Sequence, residues 1–167
     1  MSDTAQNSGD ELAYSAENAV IERIDEALDT PPVGVVLIET TIDATYKNAP
    51  DQKLIDDAIV AQIRQETGSK DTVLLLGPDQ VVIVKQAMTA PAEAEGCALR
   101  IQARLQPSMI VGEGRLSVQT AIGVATSHSS DTAEALFGYA VHALNDARML
   151  GGDRVVAFDD QDRDLLA

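Results

Sequence analysis

Apolar residues recur along the chain with two spacings, one typical of amphipathic helices and one typical of buried strands. Residues 15–28 have apolar positions three and four apart, and residues 33–38 are a continuous run rich in β-branched side chains. The same patterns predict further helices over 51–67, 92–105 and 131–150, and strands over 72–76, 81–85, 115–125 and 153–158. Asp51 is expected to cap the second helix and Gly68 to end it, while Ser130 or Asp131 caps the fourth.

This order of elements contains a β-α-β-β-α-β unit, the ferredoxin-like arrangement. We therefore expect an α/β (α+β) domain over residues 14–158, with a mainly antiparallel sheet flanked by helices. Residues 1–13 are polar and acidic and are predicted to be disordered, and residues 159–167 are predicted to form an acidic tail.

Charge and composition narrow the classes of function. The 167 residues carry a formal net charge of −15, and the two ends of the chain supply most of it. Acidic surfaces repel phosphate backbones, so nucleic acid is an unexpected partner. No apolar run is long enough to cross a membrane, and the single cysteine, Cys97, cannot form an internal disulfide. These features predict a cytoplasmic protein that does not bind membranes.

Three local patterns lie at corresponding places in one known family. The turn between the second and third strands reads LGPDQV over residues 76–81, a later strand reads QTAIGVA over 119–125, and the last helix reads AVHALNDARMLG over 140–151. Together with the order of elements, they resemble the GGDEF domain of diguanylate cyclases from about residue 15 to residue 158. The segment that matches the family signature is Gly77-Pro78-Asp79-Gln80-Val81, so the resemblance is to a degenerate member.

The resemblance implies a site in which carboxylates hold two metal ions while a hydroxyl attacks a phosphate. The family's metal ligands correspond to Glu39, Asp79 and Gln80, and an amide at Gln80 is a poorer ligand for a hard cation. Pro78 replaces a glycine whose N–H faces the nucleotide, and proline has no N–H. Proline does suit an ordinary β-turn, so the loop also reads as a purely structural hairpin.

Two other residues correspond to functional positions of the family, and each also has a purely structural interpretation. Asp51 corresponds to a guanine-reading aspartate or is simply a helix cap, and Arg148 corresponds to a phosphate-binding lysine or is placed favourably at a helix C-terminus. The product-inhibition motif Arg-x-x-Asp corresponds to Gly68–Asp71, which lacks the arginine that would grip a cyclic dinucleotide.

These losses predict a catalytically inactive GGDEF-like domain that acts as a regulatory protein-interaction module in cyclic di-GMP-type signalling. Its expected partner is another protein, with a homodimer as one form, and no cofactor is expected. The alternative is a receptor that binds GTP or another purine nucleotide weakly without cyclising it, in which case Mg²⁺ could accompany the nucleotide. An enzyme with a rebuilt site and another substrate is the third reading.

Overall fold

The computed structural model describes residues 14–43, 51–112 and 114–158. The predicted flanks, residues 1–13 and 159–167, lie outside this part of the chain. The elements in order are α1 (Glu17–Ala27), β1 (Gly34–Ile42), α2 (Gln52–Arg64), β2 (Thr72–Gly77), β3 (Gln80–Lys85), α3 (Ala92–Leu105), β4 (Ser108–Val111), β5 (Gly114–Thr126), α4 (Ala133–Met149) and β6 (Arg154–Ala157).

The strands form one sheet in the order β2-β3-β1-β5-β4, and all neighbours in this path are antiparallel. β6 pairs with β5 in parallel, further along β5 than the segment that pairs with β4. β1 is therefore central, as its uninterrupted apolar run predicts. Glu39 on β1 lies opposite Gln80 on β3 and Ala121 on β5, so the register brings two candidate site residues together.

Helices cover both faces of the sheet. Val36 and Ile38 of β1 pack in the core beneath α2 and α3, whereas Val35 and Leu37 pack in the core beneath α1 and α4. The alternation of side chains along a strand explains why one run of apolar residues serves two cores. The predicted α/β architecture with a mainly antiparallel sheet is confirmed.

α4 lies very close to β5 at one glycine. A Cβ atom added to Gly123 would come closer than 3.0 Å to the backbone nitrogen of Leu144 and the carbonyl oxygen of Ala140. The glycine of the QTAIGVA pattern therefore permits direct contact between the backbones of strand and helix, and this contact fixes the height of α4 above the sheet.

Several predicted details differ from the structure. β1 continues to Ile42 instead of ending at residue 38. β4 was not predicted, because a strand of four residues is too short for its periodicity to be detected. Thr132, not Ser130 or Asp131, caps α4 by accepting from the N–H of Ala135. No helix in the described ranges has both the length and the apolar character needed to cross a membrane.

Gly68 does not end the second helix. α2 stops at Arg64 with Gln65 as its C-cap, and Gly68 lies in the following turn without a positive φ. The prediction was wrong because, in sequence, any glycine that follows an amphipathic helix resembles a glycine that ends it. In the structure, the side chain of Asp71 closes this turn instead.

Candidate functional site

The loop between β2 and β3 is a tight hairpin, as predicted. Gly77 pairs with Gln80 across it, and the ladder shifts register between Leu75 and Gly77. Neither Gly77 nor Asp79 has a positive φ, so the turn does not require a glycine conformation. The carbonyl of Pro78 accepts from the amide of Gln52 at 2.8 Å, and that of Asp79 accepts from the N–H of Thr40 at 2.9 Å. The turn is thus anchored to both α2 and β1.

Glu39 and Arg148 form a bidentate ion pair beside this turn. Arg148 Nε donates to Glu39 Oε1 at 2.7 Å, and Nη2 donates to Oε2 at 2.6 Å. Gln80 Nε2 also approaches Oε2, at 3.4 Å. The hydrogen bonds from Arg148 lower the pKa of Glu39, although partial burial opposes this shift, and Glu39 in turn raises the pKa of Arg148. Both side chains therefore remain charged near neutral pH.

Arg148 lies in the last turn of α4, as predicted, where a positive charge interacts favourably with the C-terminal end of the helix. Its Nη1 donates to Oδ1 of Asn145 at 2.6 Å, one turn earlier in the same helix. Asp79 is near enough that its charge contributes to raising the pKa of Arg148. The fold thus brings together three residues predicted from sequence for this site, Glu39, Asp79 and Arg148, but it pairs the first and last with each other.

Asp51 and Asp56 lie at the start of α2 and make different contacts. Asp51 is the N-cap of α2, and its Oδ1 accepts from the N–H of Leu54 at 3.0 Å. Asp56 is only 5% exposed and faces the hairpin, where Gln52 Nε2 donates to its Oδ1 at 2.9 Å. Asp56 was missed, although a carboxylate three residues before Ile59, on the apolar stripe of α2, was a usable signal.

Gly68 and Asp71 close a turn on themselves. The N–H of Gly68 donates to Asp71 Oδ2 at 2.7 Å, and the same oxygen pairs with Lys85 Nζ at 3.0 Å. Asp71 Oδ1 accepts from the N–H of Gln86 at 3.0 Å, and the Asp71 side chain is 2% exposed. The retained aspartate of the predicted inhibitory motif is therefore buried in a structural role, joining the entry of β2 to the end of β3.

No protein-family model and no curated protein matches the sequence. Solved structures do match. The GGDEF domain of PA1120 (TpbB or YfiN) from Pseudomonas aeruginosa aligns with a TM-score of 0.78 and 21% identity, over 92% of this chain and 95% of that one. The chain has the fold of a GGDEF domain. This result agrees with the resemblance of the sequence patterns and confirms the predicted fold.

Two further GGDEF structures are similar in fold and were solved with binding partners. The diguanylate cyclase SiaD from Pseudomonas aeruginosa, in complex with its activator SiaC, aligns with a TM-score of 0.72 and 16% identity, over 92% of this chain and 64% of that one. The GGDEF domain of DgcB from Caulobacter crescentus, in complex with c-di-GMP, aligns with a TM-score of 0.62 and 13% identity, over 89% and 91% of the two chains.

The donor set at the hairpin between β2 and β3 does not fit a pair of metal ions. Both oxygens of Glu39 already accept from Arg148, and Gln80 offers an amide in place of a carboxylate. Among the described residues, no group of three or more histidine, cysteine or acidic side chains is arranged to hold a metal. A divalent cation at Glu39 would have to displace a guanidinium that binds the carboxylate in the geometry favoured for such pairs.

Two cavities of this GGDEF fold meet at Arg148. The larger, about 430 Å³, lies between the start of α1, α4 and the hairpin, and its lining includes Leu37, Gln80 and Phe137. The smaller, about 200 Å³, is lined by Glu39, Thr120 and the glycines after α4, among others. Arg148 lines both cavities, and Glu39 lines only the smaller one.

Proposed function

We propose that this chain is a GGDEF-fold domain without diguanylate cyclase activity that serves as a regulatory protein-interaction module in cyclic di-GMP-type signalling. The observation that carries the proposal is the bidentate pair between Arg148 and Glu39. In it, a cation belonging to the protein occupies the carboxylate that a catalytic metal would need. A cytoplasmic location is part of the same proposal.

The hairpin supports the loss of catalysis independently. Pro78 has no N–H to offer a phosphate, and its carbonyl is engaged by Gln52. Gln80 carries no charge and turns its amide toward Glu39. The two changes therefore act in one direction, because Pro78 removes an N–H donor and Gln80 removes a negative charge from the site.

A protein partner is the second half of the proposal. The diguanylate cyclase SiaD, part of which has a similar fold, was solved in complex with an activator protein, which is a precedent for a protein partner. The formal charge of −15 disfavours phosphate-rich partners, so the proposed partner is another protein, with a second copy of this chain as one form. Sedimentation across a range of concentrations tests the homodimer, and a monomer at every concentration would remove that form of the proposal.

A cyclase assay tests the loss of activity. The purified chain is incubated with GTP and either Mg²⁺ or Mn²⁺, and products are separated by chromatography, with SiaD plus SiaC as the positive control. We expect cyclic di-GMP from the control and none from this chain. Sustained synthesis by this chain would overturn the proposal.

The second candidate is a nucleotide receptor, favoured by the cavity of about 430 Å³ next to the hairpin. This volume falls in the range of small-molecule sites, about 300–1,000 Å³. Calorimetry with GTP, with and without Mg²⁺, separates the two functions. Binding that Asp79→Ala makes independent of Mg²⁺ supports the receptor, whereas the absence of heat at high protein concentration excludes it.

A further inference from the structure

The chain crosses the outer edge of β2 just before α1 begins. Tyr14 forms a parallel bridge with Leu75, and the N–H of Ser15 donates to the Leu75 carbonyl at 2.6 Å. α1 then packs on the same face of the sheet as α4. The Tyr14 hydroxyl reaches the other layer, where it donates to Oδ2 of Asp56 on α2 at 2.8 Å. One short segment therefore contacts both helical layers across a sheet edge.

Asp56 extends this contact to the hairpin. Its two carboxylate oxygens accept from different donors, Oδ2 from Tyr14 and Oδ1 from Gln52. The Gln52 amide also donates to the carbonyl of Pro78, at the tip of the turn. A carboxylate that is 5% exposed depends on such donors because water cannot replace them. Tyr14, Asp56, Gln52 and Pro78 thus form a continuous hydrogen-bonded chain.

We propose that Tyr14 is a latch through which the segment leading into α1 controls the hairpin turn. With Tyr14 on Asp56, the carboxylate holds Gln52 in place, and Gln52 holds the turn against α2. When Tyr14 leaves, Asp56 reorients toward water through the opened edge, and Gln52 loses its fixed partner. The turn then separates from α2 and is held to β1 by the bond from the Thr40 N–H to the Asp79 carbonyl, which opens more often as a result. This coupling does not depend on the proposed function, since it operates whether or not nucleotide or a partner protein binds.

Two properties of Tyr14 suit a latch. Its side chain belongs to a residue that is 50% exposed, so a partner can reach it without unfolding the domain. The hydrogen bond to Asp56 raises the pKa of the Tyr14 hydroxyl, so the group remains a donor throughout the neutral range. The contact is thus persistent at physiological pH yet accessible from solvent.

Amide hydrogen exchange, measured by NMR on the full chain, tests the latch. The N–H of Ser15 reports on the segment, and the N–H of Thr40, bonded to Asp79, reports on the turn. We expect Tyr14→Phe to accelerate exchange of both amides about tenfold, the effect of losing one charge-assisted hydrogen bond. The N–H of Phe158, bonded to Val124, reports on a distant part of the sheet and should not change.

Two further variants sharpen the test. Tyr139→Phe removes a hydroxyl from α4 and should leave Ser15 and Thr40 unchanged. Asp56→Leu suits the apolar stripe of α2 and should accelerate both amides, with no additional effect of Tyr14→Phe in the double variant. The latch is overturned if Tyr14→Phe leaves Thr40 unchanged, or if the amide of Phe158 accelerates by the same factor, because that pattern reports global destabilisation.

Discussion

Arg148 and Glu39 are separated by 109 positions in the chain, yet each nitrogen that Arg148 directs at Glu39 meets a different carboxylate oxygen. The pair joins the last turn of α4 to the central strand at the level of the hairpin. It accounts for two candidate site residues at once, because the arginine expected to bind phosphate and the glutamate expected to bind metal satisfy each other.

Removing the arginine should lower stability in a way that depends on pH. Arg148 holds the pKa of folded Glu39 below its ordinary value, so the pair stabilises above that ordinary value and the stabilisation is lost as pH falls through the lowered one. We expect Arg148→Met to reduce the free energy of unfolding by about 1 kcal/mol at pH 7, because solvent screens two partly exposed groups. Urea unfolding at pH 7 and in acid measures this, with Arg154→Met as control. An equal loss of unfolding free energy at both pH values would contradict the ion pair between Arg148 and Glu39.

Two substitutions beside the hairpin should create a site that binds a divalent metal ion. Gln80→Glu restores a carboxylate opposite Glu39, and Arg148→Met frees both oxygens of that glutamate. We expect the double variant to bind Mn²⁺ with Asp79 as a further ligand, and the natural chain to show at least tenfold weaker binding, roughly the effect of one added carboxylate. Water proton relaxation measures bound Mn²⁺. Gln102→Glu with Arg154→Met has the same charge change elsewhere and should bind no better than the natural chain.

Gly77 in the hairpin and Gly123 in the QTAIGVA strand should differ sharply in how much an alanine substitution destabilises the protein. A methyl group at Gly123 would overlap the α4 backbone, whereas a Cβ at Gly77 meets nothing within 4 Å. We expect Gly123→Ala to reduce the free energy of unfolding by about 3 kcal/mol and Gly77→Ala to change it by about 0.5 kcal/mol or less. Thermal and urea unfolding measure both. Equal effects would mean that the packing of α4 on β5 is looser than described.

Asp71 should matter for folding more than Asp51 does. Asp71 is buried with Lys85 and two backbone N–H groups, whereas Asp51 caps an exposed helix end. We expect Asp71→Ala to cost about 3 kcal/mol because it leaves a largely buried lysine without its partner, and Asp51→Ala about 1 kcal/mol. Urea unfolding of the two variants measures the difference. If Asp71→Ala were the milder of the two, the structural role of this turn would be wrong.

The hairpin, the helix cap at Asp51 and the central position of β1 could be predicted from sequence because each depends on local spacing. Turn chemistry at residues 77–80 and the periodicity of the helices are visible within a few neighbouring residues. The pairing of Glu39 with Arg148 could not be predicted in this way, since it follows from how α4 lies over the sheet. The family resemblance named both residues but assigned them separate partners.

Asp56 and Gly68 also show that local sequence patterns do not determine tertiary contacts: Asp56 was missed, and the role of Gly68 was predicted wrongly. Asp56 lies on the buried stripe of α2. One of its donors, Gln52, is four residues away on the same helix, but the other, Tyr14, is 42 positions away and meets it only in the folded chain. Gly68 has the sequence context of a helix-ending glycine, but the carboxylate of Asp71 closes the turn instead. Short-range patterns identified candidate site residues, but the contacts of those residues depend on the tertiary structure.

β1 has consequences for the order in which the protein can fold. The residues that pair with β1 lie 41 to 51 positions further along the chain in β3 and 76 to 92 positions further in β5, so during synthesis this strand emerges long before either neighbour. Until both arrive, residues 33–38 are an uncharged β-branched run of the kind that promotes aggregation. Acidic residues outnumber basic ones in the 30 residues before this run, and like charge of this kind opposes association between chains through it.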